Sequence, residues 1–323
     1  MASQDQNKLQ GSPPSYHASV SSYHNYRPTE TGGPNLPPYH NWQEAVPDTT
    51  DFPPPPVTGY FYSGTGNASS ADAERAHEFC DGFPLYSPAN PPATVYSSVQ
   101  RCDIHPVKPE GFCGEISTIS KGRWKGFTRD RSRDCSISTN LPLFFSLADS
   151  PWVTKKSKTV YFEVKLLGLR TGPETGSVDS SGLSIGFVAQ PYPTWRSPGW
   201  ERGSVGVFSD DGCRFVNDSW GGKGFTTAFK LGETVGLGMT FRLPEDIKKV
   251  PESEGERIRV EIFFTRDGRK VGGWDLHEEV DAEAGGVEGL EGDFDLYGAI
   301  GLFGGVDFEA CFDHLGWLWN PLL

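Results

Sequence analysis

At 323 residues the chain is long enough for two average domains, although an all-β sandwich of about 200 residues commonly forms one unit. Its formal net charge of −13 argues against a phosphate-backbone partner, since such proteins neutralise phosphates with clustered Lys and Arg. Proline is crowded forward, with 15 of 26 before residue 93, whereas every tryptophan except Trp42 lies at or beyond Trp124; the first third is therefore too poor in core-forming residues to pack, and the remainder is the folded part.

Residues 1–75 form a tail of Ser, Tyr, His, Asn, Pro and Gly with no period of 2 or 3.6, and it is expected to be disordered because it cannot bury enough apolar surface to offset its ordering entropy. Within it Pro13-Pro14-Ser15-Tyr16 spells PPxY, and Leu36-Pro37-Pro38-Tyr39 spells its relative LPxY. Consecutive prolines pre-set a polyproline II helix, so docking into an aromatic-lined groove orders little backbone, and the tyrosine adds a ring and a hydroxyl. Pro13, Pro14, Tyr16, Leu36, Pro37 and Tyr39 are thus candidate contacts for WW domains. Chance matches in a Pro-rich linker account for one such motif about equally well; two, each followed by His (His17, His40), favour the ligand reading. Phe52-Pro53-Pro54-Pro55-Pro56 is similar to an EVH1 ligand, with a stiff spacer the simpler reading.

Residues 76–114 read as a lead-in packed on the sandwich. Residues 72–80 allow two helical turns, too short to stand alone, and residues 83–109 an extended segment that covers a sheet edge. In residues 159–167, Val160, Phe162, Val164 and Leu166 alternate with Tyr161, Glu163 and Lys165, the period of a half-buried strand. Residues 183–189, 234–241 and 257–264 repeat the pattern, and Arg266-Asp267-Gly268-Arg269 is a hairpin turn. The expectation is an all-β fold, an antiparallel β-sandwich over residues 115–316, followed by a C-terminal tail at 317–323. Residues 244–256 read as a charged surface excursion, and residues 278–295, with eight acids and four glycines, as a mobile loop.

The most informative stretch is residues 196–212, RSPGWERGSVGVFSDDG: a Pro198-Gly199-Trp200 corner, an alternating strand through Val205 and Val207, and an Asp210-Asp211-Gly212 reversal. It resembles the signature of the SPRY domain, in particular the branch found in Ran-binding-protein scaffolds and fungal endosomal ubiquitin-ligase adaptors. VYFEVKL (160–166), GETVGLG (232–238), IFFTRDG (262–268) and LYGAIGLF (296–303) follow in the family's order around it. The resemblance implies a β-sandwich whose loops at one end bind a partner, and a tail that recruits a HECT ubiquitin ligase through its WW domains. The best-known such adaptors are anchored by one N-terminal transmembrane helix; no apolar run of the required length of about 20 residues occurs here. Residues 1–20 are polar and give no signal peptide, so the expected location is cytoplasmic, with peripheral association at endosomal or vacuolar membranes.

Enzyme chemistry finds little support in the residues. GxSxG, HExxH and P-loop patterns are absent, and Gly221-Gly222-Lys223-Gly224 precedes a β segment at 225–229 where an anion site would need a helix. Asp210-Asp211 suits a turn better than a metal or acid–base pair. The six cysteines show no CxxC and no His at ligand spacing, and His277 and His314 have no partner nearby in sequence, so no metal or cofactor is expected. The basic run at 121–133 reads as a solvated strand ahead of a nucleic-acid grip. Tyr192, Trp195, Arg196 and Trp220 are the candidate partner-binding residues, because exposed aromatics and arginines dominate interface hot spots; for the first three, a place in the core is an equal alternative. Two functions compete: a non-enzymatic adaptor linking a WW-domain ligase to cargo, and a scaffold subunit in which the tail motifs are incidental.

Overall fold

The computed structural model describes residues 69–170, 181–220, 222–244, 257–278 and 285–321. Both tail motifs, the proline run at 52–56 and, beyond Pro244, the 244–256 excursion lie outside these residues. In chain order the lead-in holds helices α1 (Ser70–Gly82) and α2 (Ala93–Gln100) and strand β1 (Pro106–Val107). Next come β2 (Gly114–Ser120), β3 (Arg123–Thr128), β4 (Cys135–Thr139) and the single-turn helices α3 (Ser146–Asp149) and α4 (Pro151–Thr154). The sandwich continues through β5 (Lys158–Arg170), β6 (Gly182–Ala189), β7 (Ser204–Phe208), β8 (Cys213–Val216) and β9 (Lys223–Gly224). It closes with β10 (Thr234–Arg242), β11 (Arg259–Arg266), β12 (Arg269–Asp275), β13 (Leu296–Phe303) and β14 (Gly305–Cys311).

Two seven-stranded sheets result, ordered β1-β4-β13-β6-β7-β8-β9 and β12-β11-β10-β5-β14-β3-β2. All the strand pairs described are antiparallel. The alternation expected for residues 159–167 is the packing of β5: Val160, Phe162, Val164 and Leu166 face the other sheet, and Phe162 meets Phe187 of β6 edge-on at 5.5 Å. Leu237, Met239 and Phe241 of β10, Ile262 and Phe264 of β11 and Val306 and Phe308 of β14 complete the interior. Each such side chain contributes roughly 1.5–3 kcal/mol through burial.

Two hairpins form where the turn residues lie. Asp267 and Gly268 take positive φ (44° and 74°) between β11 and β12, and Gly212 (φ 74°) closes β7–β8 while the Asp211 carboxylate accepts from the Cys213 N–H at 2.7 Å. Glycine is required most clearly at the Gly186–Gly206 cross-strand pair. A Cβ on Gly186 would lie 2.6 Å from Pro198 Cβ, and one on Gly206 2.2 Å from the Pro198 carbonyl oxygen, so this bare patch of sheet is what lets the Pro-Gly-Trp corner fold flat onto it.

Several expectations need correction. The helical turns of 72–80 extend to a 13-residue helix that starts at Ser70, capped by Ser69, so it crosses the expected tail boundary at residue 75. Residues 83–109 are not extended throughout, because α2 occupies 93–100; the segment does reach a sheet edge, where β1 pairs with β4. The β segment lies within the Gly-rich stretch itself, at Lys223–Gly224, while residues 225–229 form no strand and bring Phe225 and Phe229 against Phe264. The described part of the acidic loop, 285–295, is built into the sandwich: Leu290 is fully buried and Phe294 packs on the core. Residues 317–321 are docked as well. Trp317 and Trp319 flank Tyr161 at 4.9 and 5.5 Å, and the Glu163 carboxylate accepts the N–H groups of Leu318 (2.9 Å) and Trp319 (3.0 Å). Tyr161 and Glu163 point away from the core as their alternation demands, yet both are buried by this segment.

Candidate functional site

Residues 190–202, with the corner at their centre, make the loop cluster expected to bind a partner. Tyr192 lies inside it: its hydroxyl donates to the Ser197 carbonyl at 2.6 Å and accepts from the Glu201 N–H at 3.3 Å, and burial pushes the phenol pKa up. Arg196 is inside too, its Nε donating to Glu201 Oε1 at 2.6 Å with both side chains 3% exposed and its guanidinium 4.5 Å over the Trp200 ring. Tyr192 and Arg196 are thus framework residues that hold the corner closed, which favours the core alternative for both.

Trp195 is half-buried beneath α1. Its Nε1 donates to the Asp72 carbonyl at 3.1 Å, the Arg75 guanidinium sits 3.9 Å over its ring, and Phe79 meets it edge-on at 5.6 Å. At the far end of the helix Arg202 Nε and Nη2 donate to the Cys80 carbonyl (3.4 and 3.3 Å) and Nη2 also to that of Phe83, satisfying acceptors that a helix C-terminus leaves free. Asp72, Ala73, Ala76, Phe79 and Cys80 recur at the i, i+3, i+4, i+7 spacing of one helical face, the signal in the sequence that this helix has a surface to cover. The lead-in continues across the same end, with Tyr86 N–H donating to the Gln190 carbonyl at 2.7 Å.

Trp220 is different. It is 86% exposed in the β8–β9 connection, close to the corner because the neighbouring Asp218 N–H donates to the Gly199 carbonyl at 3.0 Å. Phe83 and Tyr86 of the lead-in are also exposed. Of the four candidate residues, then, Trp220 stands free for contact, and the lead-in adds two aromatics that the sequence reading missed.

Asp134 lies near this cluster. Burial pushes its carboxyl up to about 7, with the Arg196 guanidinium pulling it down and Asp72 adding to the rise. A carboxyl held above the ordinary value of about 3.9 binds a proton more readily in the fold than in the unfolded chain. Its contribution to stability is therefore largest near pH 4 and is lost as pH rises through 7. Asp134→Asn is expected to raise the melting temperature at pH 8 and change it little near pH 4; an equal effect at both would show that ionisation is not responsible.

Elsewhere, His277 and His314 have partners distant in sequence: Glu291 lies 2.7 Å from His277 Nε2, and Cys102 Sγ 3.4 Å from His314 Nδ1. Among the described residues no helix is long and apolar enough to cross a membrane.

No protein-family model matches the chain. A SPRY domain-containing protein of Schizosaccharomyces pombe is 31% identical over 139 residues, covering 43% of this chain and 27% of that one. Protein ssh4 of Aspergillus fumigatus is 28% identical over 190 residues, 57% of this chain and 30% of that one, so the chain spans less than a third of the length of either relative. Among solved structures, a human SPRY domain aligns with 62% of this chain and 98% of its own length at 18% identity and a TM-score of 0.37. An antiparallel sandwich with the Pro-Gly-Trp corner folded on a glycine pair, in a chain similar in sequence to these fungal proteins, is a fold that resembles the SPRY domain.

Proposed function

We propose that the chain is a non-catalytic adaptor that binds a partner protein at the loop end of the sandwich and a WW-domain HECT ubiquitin ligase through the tail, in ubiquitin-dependent protein trafficking with peripheral association at endosomes. One observation carries the reading: a SPRY-like sandwich and a PPxY–LPxY pair occur in one chain that is similar to fungal Ssh4 proteins. Linking two binding modules raises the effective concentration of one bound protein at the other, so an adaptor of this kind needs no catalytic group of its own. At the sandwich end the exposed Trp220, Phe83 and Tyr86 are the contact residues of this reading, while α1 covers part of Trp195.

Calorimetric titration of an isolated WW domain into the full chain tests the tail. Pro14→Ala and Tyr16→Ala are expected to weaken binding at least tenfold, Ser15→Ala to leave it nearly unchanged, and Tyr39→Ala to cost less than Tyr16→Ala, because LPxY is the poorer match. No binding, or Ser15 mattering most, sinks the WW reading and leaves the scaffold alternative, in which the sandwich binds and the tail motifs are incidental.

A further inference from the structure

Where the end of α2 meets the exit of β14, three metal-ligating side chains from two distant parts of the chain converge. Cys102 Sγ lies 3.4 Å from His314 Nδ1, which lies 3.9 Å from Asp313 Oδ1, and all three potential ligand atoms fall within 4.8 Å of one another. In a tetrahedral zinc site with Zn–S near 2.3 Å and Zn–N near 2.05 Å, adjacent S and N ligands stand about 3.6 Å apart, so the Cys102–His314 pair already has coordination spacing, while Asp313 would close in by roughly half an ångström to join it. From this geometry we infer that Cys102, Asp313 and His314 bind a zinc ion, with solvent completing the fourth position.

Three further features suit the assignment. Cys102 is buried, but His314 is half exposed and Asp313 partly so, which leaves an entry path and room for a water. Cys102 holds a left-handed backbone conformation (φ 58°), an unfavourable state for a side-chain-bearing residue, and the turn that imposes it aims the thiol at His314. Gly122 faces the same spot: a Cβ there would lie 3.0 Å from Asp313 Cβ and 3.3 Å from Cys102 Cβ, so the β2–β3 turn packs directly on the cluster and can do so only without a side chain. A thiolate and a carboxylate together cancel the ion's charge, and the nearby Lys121 ammonium is drawn to Asp103 at 3.1 Å. Buried between two ligands, the thiol gives up its proton on binding, so the metal takes the place of the present thiol–imidazole contact. Because the ligands lie more than 200 residues apart, the ion would clamp the lead-in to the end of the sandwich, stabilising the fold by linkage in proportion to its occupancy.

Cobalt(II), titrated into the reduced full chain, is the probe. One equivalent is expected to bind with a near-ultraviolet sulfur-to-cobalt charge-transfer band, and zinc is expected to displace it. Cys102→Ala should abolish the band, His314→Ala should weaken zinc binding by roughly a hundredfold, and Cys113→Ala, at an exposed cysteine, should leave both unchanged. Should Cys102→Ala fail to fold, His314→Ala decides alone, since its ring is half in solvent: zinc must raise the melting temperature of the parent chain and not of this variant. Absence of the band in the parent chain, its persistence without Cys102, or an equal zinc shift in His314→Ala would overturn the site and leave a thiol–imidazole hydrogen bond only.

Discussion

Arg196→Ala is expected to lower the melting temperature by about 10 °C. The guanidinium is enclosed, and its removal leaves the Glu201 carboxylate buried, with the half-exposed His77 imidazole 3.7 Å away. Breaking a buried pair from one side typically costs about 3–5 kcal/mol, and each kcal/mol moves the midpoint by roughly 2–4 °C in a domain of this size. Replacing both partners at once, as Arg196→Met with Glu201→Leu, should cost less than the single change, because no uncompensated charge remains. Trp220→Ala serves as the counterpart: with its ring in solvent it should leave the melt unchanged, and if the loop end binds a partner it should weaken that binding roughly thirtyfold, the loss of about 2 kcal/mol expected of a hot-spot anchor. A melt unaffected by Arg196→Ala would place that side chain at the surface after all.

The second large effect is expected on the outer face of the other sheet. Glu163 is 2% exposed, and besides the two N–H groups of residues 318 and 319 it accepts from the Tyr161 hydroxyl at 2.8 Å, which itself contacts Thr265 Oγ1 at 2.7 Å. Glu163→Ala strips the acceptor from both backbone donors, and with hydrogen bonds to a charged group contributing about 1.5–3 kcal/mol each, a loss of about 3 kcal/mol in urea unfolding is expected. Glu163→Gln retains one carbonyl oxygen and should lose about 1 kcal/mol. Ending the chain after Gly316 should cost at least as much as Glu163→Ala and should also expose Tyr161 and Phe263, which Trp319 covers at 5.5 and 5.1 Å. Equal stability of the truncated and full chains would mean that the segment does not dock in solution.

How far the sequence could lead is clearest in β5. Period-two alternation identified the strand and its inward residues, and correctly set Tyr161 and Glu163 on the opposite face; it could not report that a segment some 155 residues later closes over them, because that contact has no local signature. A still longer separation, 212 residues, hid the contact of Cys102 with His314. Arg196 illustrates another limit. Interface contact and a place in the core are equal readings of it from sequence, because its partner Glu201 stands only five positions away but burial of an ion pair depends on what folds over it. Residues 278–295 read as mobile from their acid content, yet within the described 285–295 Leu290 and Phe294 pack on the core, and the Asn217 side chain donates to the Glu288 carbonyl at 2.9 Å. In the lead-in, the Pro-flanked and β-branched stretch at 93–100 carried weak helical propensity, and tertiary contact decided its conformation; Tyr96, for instance, donates to Asp149 at 2.7 Å.

The strand order has a consequence for how the molecule keeps to itself. An edge strand offers unpaired backbone groups on which a second copy could grow, and the first sheet ends on both sides in strands of two residues, β1 and β9, too short to template such growth. In the second sheet the β12 rim bears Arg269 and Lys270, whose charges repel an incoming like strand. That leaves β2, seven residues long and exposed along most of its length, where Ile116 and Ile119 flank Ser117 and Thr118 and a bulge at Ile119 interrupts the pairing with β3. Among the described strands β2 is therefore the longest edge without Lys or Arg, and Ile119→Lys would add a charge where that edge is most apolar.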